Sequence, residues 1–265
     1  MDFMSTGVKE AYVRTELHNG VATIEFFHSQ SNALPSQILD ELAQAFHSAA
    51  LDSEVKVVLL RSAGDKAFCA GASFDELAAI KTVEQGTEFF SGFAKVINAM
   101  RTCPKLVVAR VHGRCVGGGV GLVAAADYAI ACEDAEVKLS ELSIGIGPFV
   151  VGPAVERKIG ASAFSQLAID ATMWRNGDWA RRKGLFAELH PTAEGMDESI
   201  SRLTFTLAHS STEAMGELKK INWKGTENWD KLLPERAAIS GRLIVSEFSK
   251  KAIEAILKKQ TTKSA

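Results

Sequence analysis

Cysteine is scarce. Four residues, Cys69, Cys103, Cys115 and Cys132, are spread over 265 positions. None stands at the close spacing of a zinc ribbon or a redox motif, and the density is far below that of a disulfide scaffold. They read as reduced thiols of a cytoplasmic protein, with no metal site. An excess of either charge is also lacking: 30 basic residues against 32 acidic ones leave a net charge of -2. No overall basic field draws the chain to a nucleic-acid backbone or an anionic membrane. Long apolar runs are missing too, since no stretch reaches the roughly 18 residues a membrane helix needs. Residues Met1 to Tyr12 carry Asp2, Lys9 and Glu10 and lack the apolar core of a secretory signal. G-x-x-x-x-G-K-[ST], G-x-S-x-G and H-E-x-x-H do not occur, which removes the usual signatures of phosphate-loop, serine-hydrolase and zincin chemistry. With 46% hydrophobic and 23% charged residues, the composition is that of a folded protein with a sizeable core.

Within Tyr12 to Phe27, Val13, Thr15 and Leu17, then Val21, Thr23 and Ile24 to Phe27, flank His18-Asn19-Gly20, and Asn-Gly between two such runs is a hairpin signal. After Pro35, apolar residues at 38, 39, 42, 45, 46 and 49 recur at helical steps until about Asp52. The run from Val55 to Leu60 predicts a strand covered on both faces. A second helix is predicted from Val83 to Met100, stopped by Cys103-Pro104 ahead of a strand at Leu106 to Val111. Tyr128 to Cys132 predicts another strand, and Val137 to Leu139 a short one. Ala154 to Ala168, Trp179 to Lys183 and nearly everything after Pro191 read as helix. The alternation of strand and helix predicts an α/β core. It is divided here into 1-195, holding the core and site, and 196-265, a helical region with a Lys-rich end.

Two glycine-containing loops follow predicted strands: Ala67 to Phe74, and Gly113 to Gly121. Loops at strand ends of an α/β sheet commonly hold ligands. A glycine run ahead of a helix also leaves backbone N–H groups open to a phosphate or an oxyanion. The second loop reads equally as a plain strand-to-helix turn. It also fits the dinucleotide pattern G-x-G-x-x-A, with Glu141 placed 20 residues beyond Gly121. Only Leu122 to Asp127 separates those glycines from the next strand, too little chain for the helix of a dinucleotide unit.

Taken in order, these motifs resemble the crotonase, or enoyl-CoA hydratase/isomerase, superfamily from about Tyr12 to the C-terminus. Asn32-Ala33-Leu34 is similar to the family's N-A-L ahead of its first helix. Ala67 to Ala72 is similar to A-F-x-A-G-A, and Lys105 to Gly119 to the K-P-V-x-A-x-V-x-G-x-x-x-G-G-G segment, with Leu106 departing from its proline. Asp127 matches the aspartate after the glycine helix, and Ser140 to Pro148 resembles the P-E-x-x-x-G-x-x-P catalytic stretch. The resemblance implies an α/β fold in which a crotonase-like ββα spiral core carries a C-terminal helical region that assembles homotrimers or homohexamers. It implies an acyl-CoA thioester as substrate, with coenzyme A carried by the substrate and no other cofactor. The backbone N–H groups of Ala72 and Gly118 would form an oxyanion hole, and Glu141 would act on protons. Asn32, Ala33, Leu34, Ala70, Gly71, Gly117, Gly121 and Pro148 would line the substrate.

The hydratase pattern has a first glutamate two residues past the third glycine of its G-G-G run, and here that position is Gly121. A lone Glu141 suits proton transfer between two carbons, the isomerase chemistry of the same family. Ile146-Gly147-Pro148-Phe149 also resembles the isomerase branch. Hydration of a 2-enoyl-CoA is the alternative, with Glu136, Asp75 or Glu76 as the second acid. A CoA-binding protein of reduced activity is another. His112 reads as a satisfied structural histidine, and His28 with Ser29 to Ser31 replaces the basic residues that often precede N-A-L. Trp174, Trp179 and Trp223 read as packing or interface residues.

Overall fold

The computed structural model describes residues 10–264, with side chains through Lys259. The leader-free reading of Met1 to Tyr12 lies largely outside the described residues. The chain starts with an antiparallel hairpin, β1 (Tyr12–His18) and β2 (Val21–Phe27). Its turn residues Asn19 and Gly20 have φ of 48° and 79°, the left-handed conformation that a two-residue hairpin requires. From β2 onward a unit repeats: a long strand enters one sheet, a short strand enters a second layer, and a helix returns the chain. The first unit is β2, β3 (Ala33–Leu34) and α1 (Ser36–Leu51). The second runs through β4 (Val57–Ser62), β5 (Ala67–Cys69), β6 (Gly71–Ala72), α2 (Phe74–Ala79) and α3 (Val83–Thr102). The third comprises β7 (Leu106–Val111), β8 (Arg114–Val116) and α4 (Gly118–Ala125). The fourth comprises β9 (Tyr128–Cys132), β10 (Glu136–Lys138) and α5 (Gly152–Ile169). There follow β11 (Arg175–Asn176), α6 (Gly177–Arg182), β12 (Glu188–His190), α7 (Ala193–Ala208), α8 (Thr212–Asn222), α9 (Trp229–Ile244) and α10 (Glu247–Ser264).

Stacking these units gives a main sheet in the order β1-β2-β4-β7-β9-β12, parallel from β2 onward. A second sheet runs β11-β10-β8-β5, and β3 pairs with β6. This is the expected spiral. The apolar stripe of α1, Ile38, Leu39, Leu42 and Phe46, is fully buried. Helix α3 begins with a capping box between Thr82 and Gln85, in which each side chain satisfies the other's backbone N–H. It ends at Thr102, with Cys103 as its C-cap before Pro104.

The helices after Pro191 are more than an appendage. Helix α7 lays Met196 and Ile200 on Val57, Val108 and Ile130, closing the outer face of the main sheet, so the division expected at residue 195 falls inside a core helix. Helix α9 lies along α3 at backbone contact. A β-carbon on Gly86 would meet Gly241 Cα at 2.8 Å, and one on Gly241 would meet the Thr87 nitrogen at 2.4 Å. Among the apolar residues of these helices, Ile244 is buried within this chain, whereas Phe205 and Phe248 are each 65% exposed.

A buried polar hub ties the third and fourth units to α8. Asp127 accepts from the Val107 N–H at 2.7 Å and from Trp223 Nε1 at 2.8 Å, and pairs with Lys219 Nζ at 2.9 Å. Lys219 also donates to the carbonyls of Met100 and Lys105. Trp223 therefore packs inside the chain.

Candidate active site

Glu141 follows β10 on a 3₁₀ turn, Glu141–Ile144. The turn closes on Gly145 with φ 80°. Helix α10 packs over it, since a β-carbon on Gly145 would lie 2.6 Å from Phe248 Cδ1. The last helix thereby helps hold the turn that carries the carboxylate.

The two glycine loops meet beside Glu141. A β-carbon on Gly71 would stand 2.8 Å from the Val116 carbonyl oxygen and 3.6 Å from the Gly118 nitrogen. Gly117 has φ 50° and ψ -113°, a backbone conformation closed to ordinary side chains, and its N–H donates to the Lys138 carbonyl at 2.9 Å. Gly118 then opens α4, where the first N–H groups of a helix have no intrahelical acceptor and carry the positive end of its dipole. Phe93 from α3 packs directly on Gly118, whose added β-carbon would fall 2.1 Å from Phe93 Cε1.

Ala70, Gly71, Ala72, Gly117, Gly118, Glu141 and Pro148 all line one narrow cavity, as the sequence reading grouped them. Its remaining wall is mostly apolar, with Phe90, Phe93, Ile146 and Val151 among the contributors, and Ser240 from α9 adds a hydroxyl. Ala33, Ala70 and Ala72 also face a wider cleft that adjoins this cavity. The structure does not bring Asn32, Leu34 or Gly121 to either wall. The Asn32 amide is engaged in the fold: Oδ1 accepts from the His28 N–H, and Nδ2 donates to the carbonyls of Ala63 and Ala67. Leu34 is fully buried in the core. Gly121 faces Val151, and a β-carbon there would meet Val151 Cγ1 at 2.5 Å.

Glu141 as a residue is half-buried, yet its Oε2 is shielded from solvent and has no hydrogen-bond partner. Burial disfavours the carboxylate and pushes its pKa up to about 7, against a smaller opposing pull from its own backbone N–H. Such a group both accepts and returns a proton near neutrality. The other carboxylates considered are engaged elsewhere. Glu136 pairs with Arg114 at 2.8 Å, Asp75 accepts from Gln30 Nε2 at 2.6 Å, and Glu76 accepts from the Ser36 N–H and hydroxyl. None of the three lines the cavity of Glu141. The ring nitrogens of His112 are shielded from solvent and make no hydrogen bond of good geometry, and burial lowers its pKa against a smaller opposing effect of the Ala67 backbone. His28 likewise has its pKa lowered by burial, and its Nδ1 accepts from the Gln30 N–H.

Sequence reasoning missed the contributions of Phe90, Phe93, Val151 and Ser240. The extent of α3 was legible, but which of its residues would reach the glycine loops was not. Among the described residues no cluster of three or more metal-ligating side chains occurs, and no helix is long and apolar enough to cross a membrane. All four cysteines are buried free thiols.

The chain is 28% identical over 230 residues to the short-chain-enoyl-CoA hydratase of Clostridium acetobutylicum, covering 86% of this chain and 87% of that protein. It is 25% identical over 278 residues to the peroxisomal Delta(3,5)-Delta(2,4)-dienoyl-CoA isomerase of Arabidopsis thaliana, covering 97% and 98%. The crystal structure of an enoyl-CoA hydratase from Bacillus halodurans shares the fold, with a TM-score of 0.84 at 22% identity over 92% of this chain and 99% of that one. The enoyl-CoA hydratase/isomerase family model matches residues 16–262, nearly the whole described chain, and the protein therefore belongs to that family of the crotonase superfamily.

Proposed function

We propose that this enzyme moves the double bond of an enoyl-CoA by proton transfer through one glutamate. The supporting observation is that Glu141 is the only carboxylate on its cavity wall among the described residues, while Val151 fills the space beside Gly121. In this reading Glu141, charged, removes a proton from C2 of a 3-enoyl-CoA. The electron pair spreads through the double bond into the thioester carbonyl as a dienolate. The N–H groups of Ala72 and Gly118 stabilise the resulting oxyanion, each by about 3 kcal/mol in a water-poor site. Glu141, now protonated, returns the proton to C4, and a 2-enoyl-CoA results. No water is consumed, so no second carboxylate has to hold one. Phe90, Phe93 and Val151 would exclude water from the reacting carbons.

The substrate carries coenzyme A itself, and the step needs no other cofactor. Exposed Phe205 and Phe248 would be covered in a homotrimer or homohexamer. Four buried free thiols fit a reducing compartment, and a cytoplasmic location belongs to the same reading.

Product analysis with a panel of 2-enoyl- and 3-enoyl-CoA thioesters tests the proposal. Bond migration without hydration is the expected result. Efficient hydration with no migration would assign a hydratase, and CoA binding with no turnover on the whole panel would assign a binding protein of reduced activity.

A further inference from the structure

Lys138 stands out among the charged groups near the cavity. It sits at the end of β10, three residues before Glu141, and its backbone carbonyl holds the Gly117 N–H. Its side chain lines the wider cleft that shares Ala70, Ala72, Val116 and Ser140 with the cavity. The ammonium rests 4.3 Å from the centre of the Trp174 ring, and the Arg114 guanidinium lies 5.0 Å from that same ring. The two cations differ in one respect. Arg114 pairs with Glu136, whereas among the described residues no carboxylate pairs with Lys138. Asp75, the carboxylate that lines the same cleft, is held by the Gln30 amide at 2.6 Å. Burial and the neighbouring Arg114 both lower the Lys138 pKa, which an anion at this place would offset.

A half-buried cation fixed on an aromatic face, unpaired and lining an open cleft, is a receptor for an anion. The adjoining cavity is apolar and fits an acyl chain, so the anion belongs to the other end of the ligand. The geometry points to Lys138 as the residue that binds a phosphate group of the substrate's coenzyme A, with Trp174 orienting its ammonium. This assignment rests on the acyl-CoA reading above.

Calorimetric titration of the full chain and of Lys138→Gln and Lys138→Arg with CoA, dephospho-CoA, 4′-phosphopantetheine and pantetheine tests it. Circular dichroism establishes that the variants are folded. Lys138→Gln is expected to weaken CoA about tenfold or more and to leave pantetheine, which has no phosphate, within about twofold, with Lys138→Arg recovering most of the loss. Dephospho-CoA and 4′-phosphopantetheine identify the phosphate: whichever retains the lysine dependence contains it. An equal loss for CoA and pantetheine, or undiminished CoA binding in Lys138→Gln, overturns the assignment while leaving the acyl-CoA reading standing. No binding of CoA by the wild-type chain overturns both.

Discussion

Val151 occupies the place beside Gly121 that a side chain there would need, with its Cγ1 2.5 Å from where the β-carbon would stand. The contact joins the glycine helix α4 to the start of α5 and leaves Glu141 without a facing carboxylate. Gly121→Glu alone is expected to destabilise the protein by about 1 to 3 kcal/mol through overpacking, measurable by chemical denaturation. Trimming to alanine would not relieve it, because the Val151 Cβ itself is only 2.8 Å away. The double variant Gly121→Glu/Val151→Gly makes room, and it is expected to gain hydration of crotonyl-CoA. A folded double variant with no such gain would mean that a second glutamate is not what separates this chain from a hydratase.

Glu141→Gln keeps the shape and removes the base. Turnover on every active substrate is expected to fall on the order of a hundredfold or more, with CoA affinity nearly unchanged. Turnover within about threefold of wild type would remove Glu141 from the mechanism.

The raised pKa of Glu141 gives a pH dependence of activity with a definite sign. The base must be ionised, so kcat/KM is expected to rise with pH and level off above an apparent pKa near 7. A flat profile between pH 5 and 8, a range of about three units around it, would show that deprotonation of this group does not limit the reaction.

Stability should move the opposite way. A folded pKa raised from 4.5 to about 7 means that the native state keeps a proton that the unfolded chain releases within that window. Glu141 therefore stabilises least above pH 7, where it is charged in both states. Glu141→Gln is expected to be more stable than wild type at pH 8, by on the order of 3 kcal/mol at most, and equal to it near pH 4. Thermal unfolding at both pH values reads this out, and a variant less stable at pH 8 would contradict it.

The Asp127 hub makes a separate structural prediction. Lys219→Met leaves the Asp127 carboxylate buried without its cation, at a cost of about 3 kcal/mol or more. A drop in Tm of roughly 6 °C or more is expected, while a drop under about 1 °C would show that the pair adds little.

Much of this molecule is determined by short-range sequence signals. Asn19-Gly20 sets the hairpin because its dihedrals are local. The α1 stripe follows from periodicity, the strands β4, β7 and β9 from short apolar runs, and the stop of α3 from Cys103-Pro104. The glycine loops and Glu141 were legible because their spacing repeats a family pattern. Tertiary structure alone decided what surrounds them. Asn32 belongs to the same motif, yet its amide is taken up by backbone groups 31 and 35 residues away. Phe93 reaches Gly118, Val151 reaches Gly121, and Ser240 enters the cavity from a helix far downstream of the glycine loop. Nothing in the sequence singles out Lys138, which Trp174 and the cleft come to flank only in the fold. Composition and periodicity fix which face of an element turns inward. Which atoms meet there depends on the crossing of distant helices, set in this case by the backbone contact that Gly86 and Gly241 permit between α3 and α9.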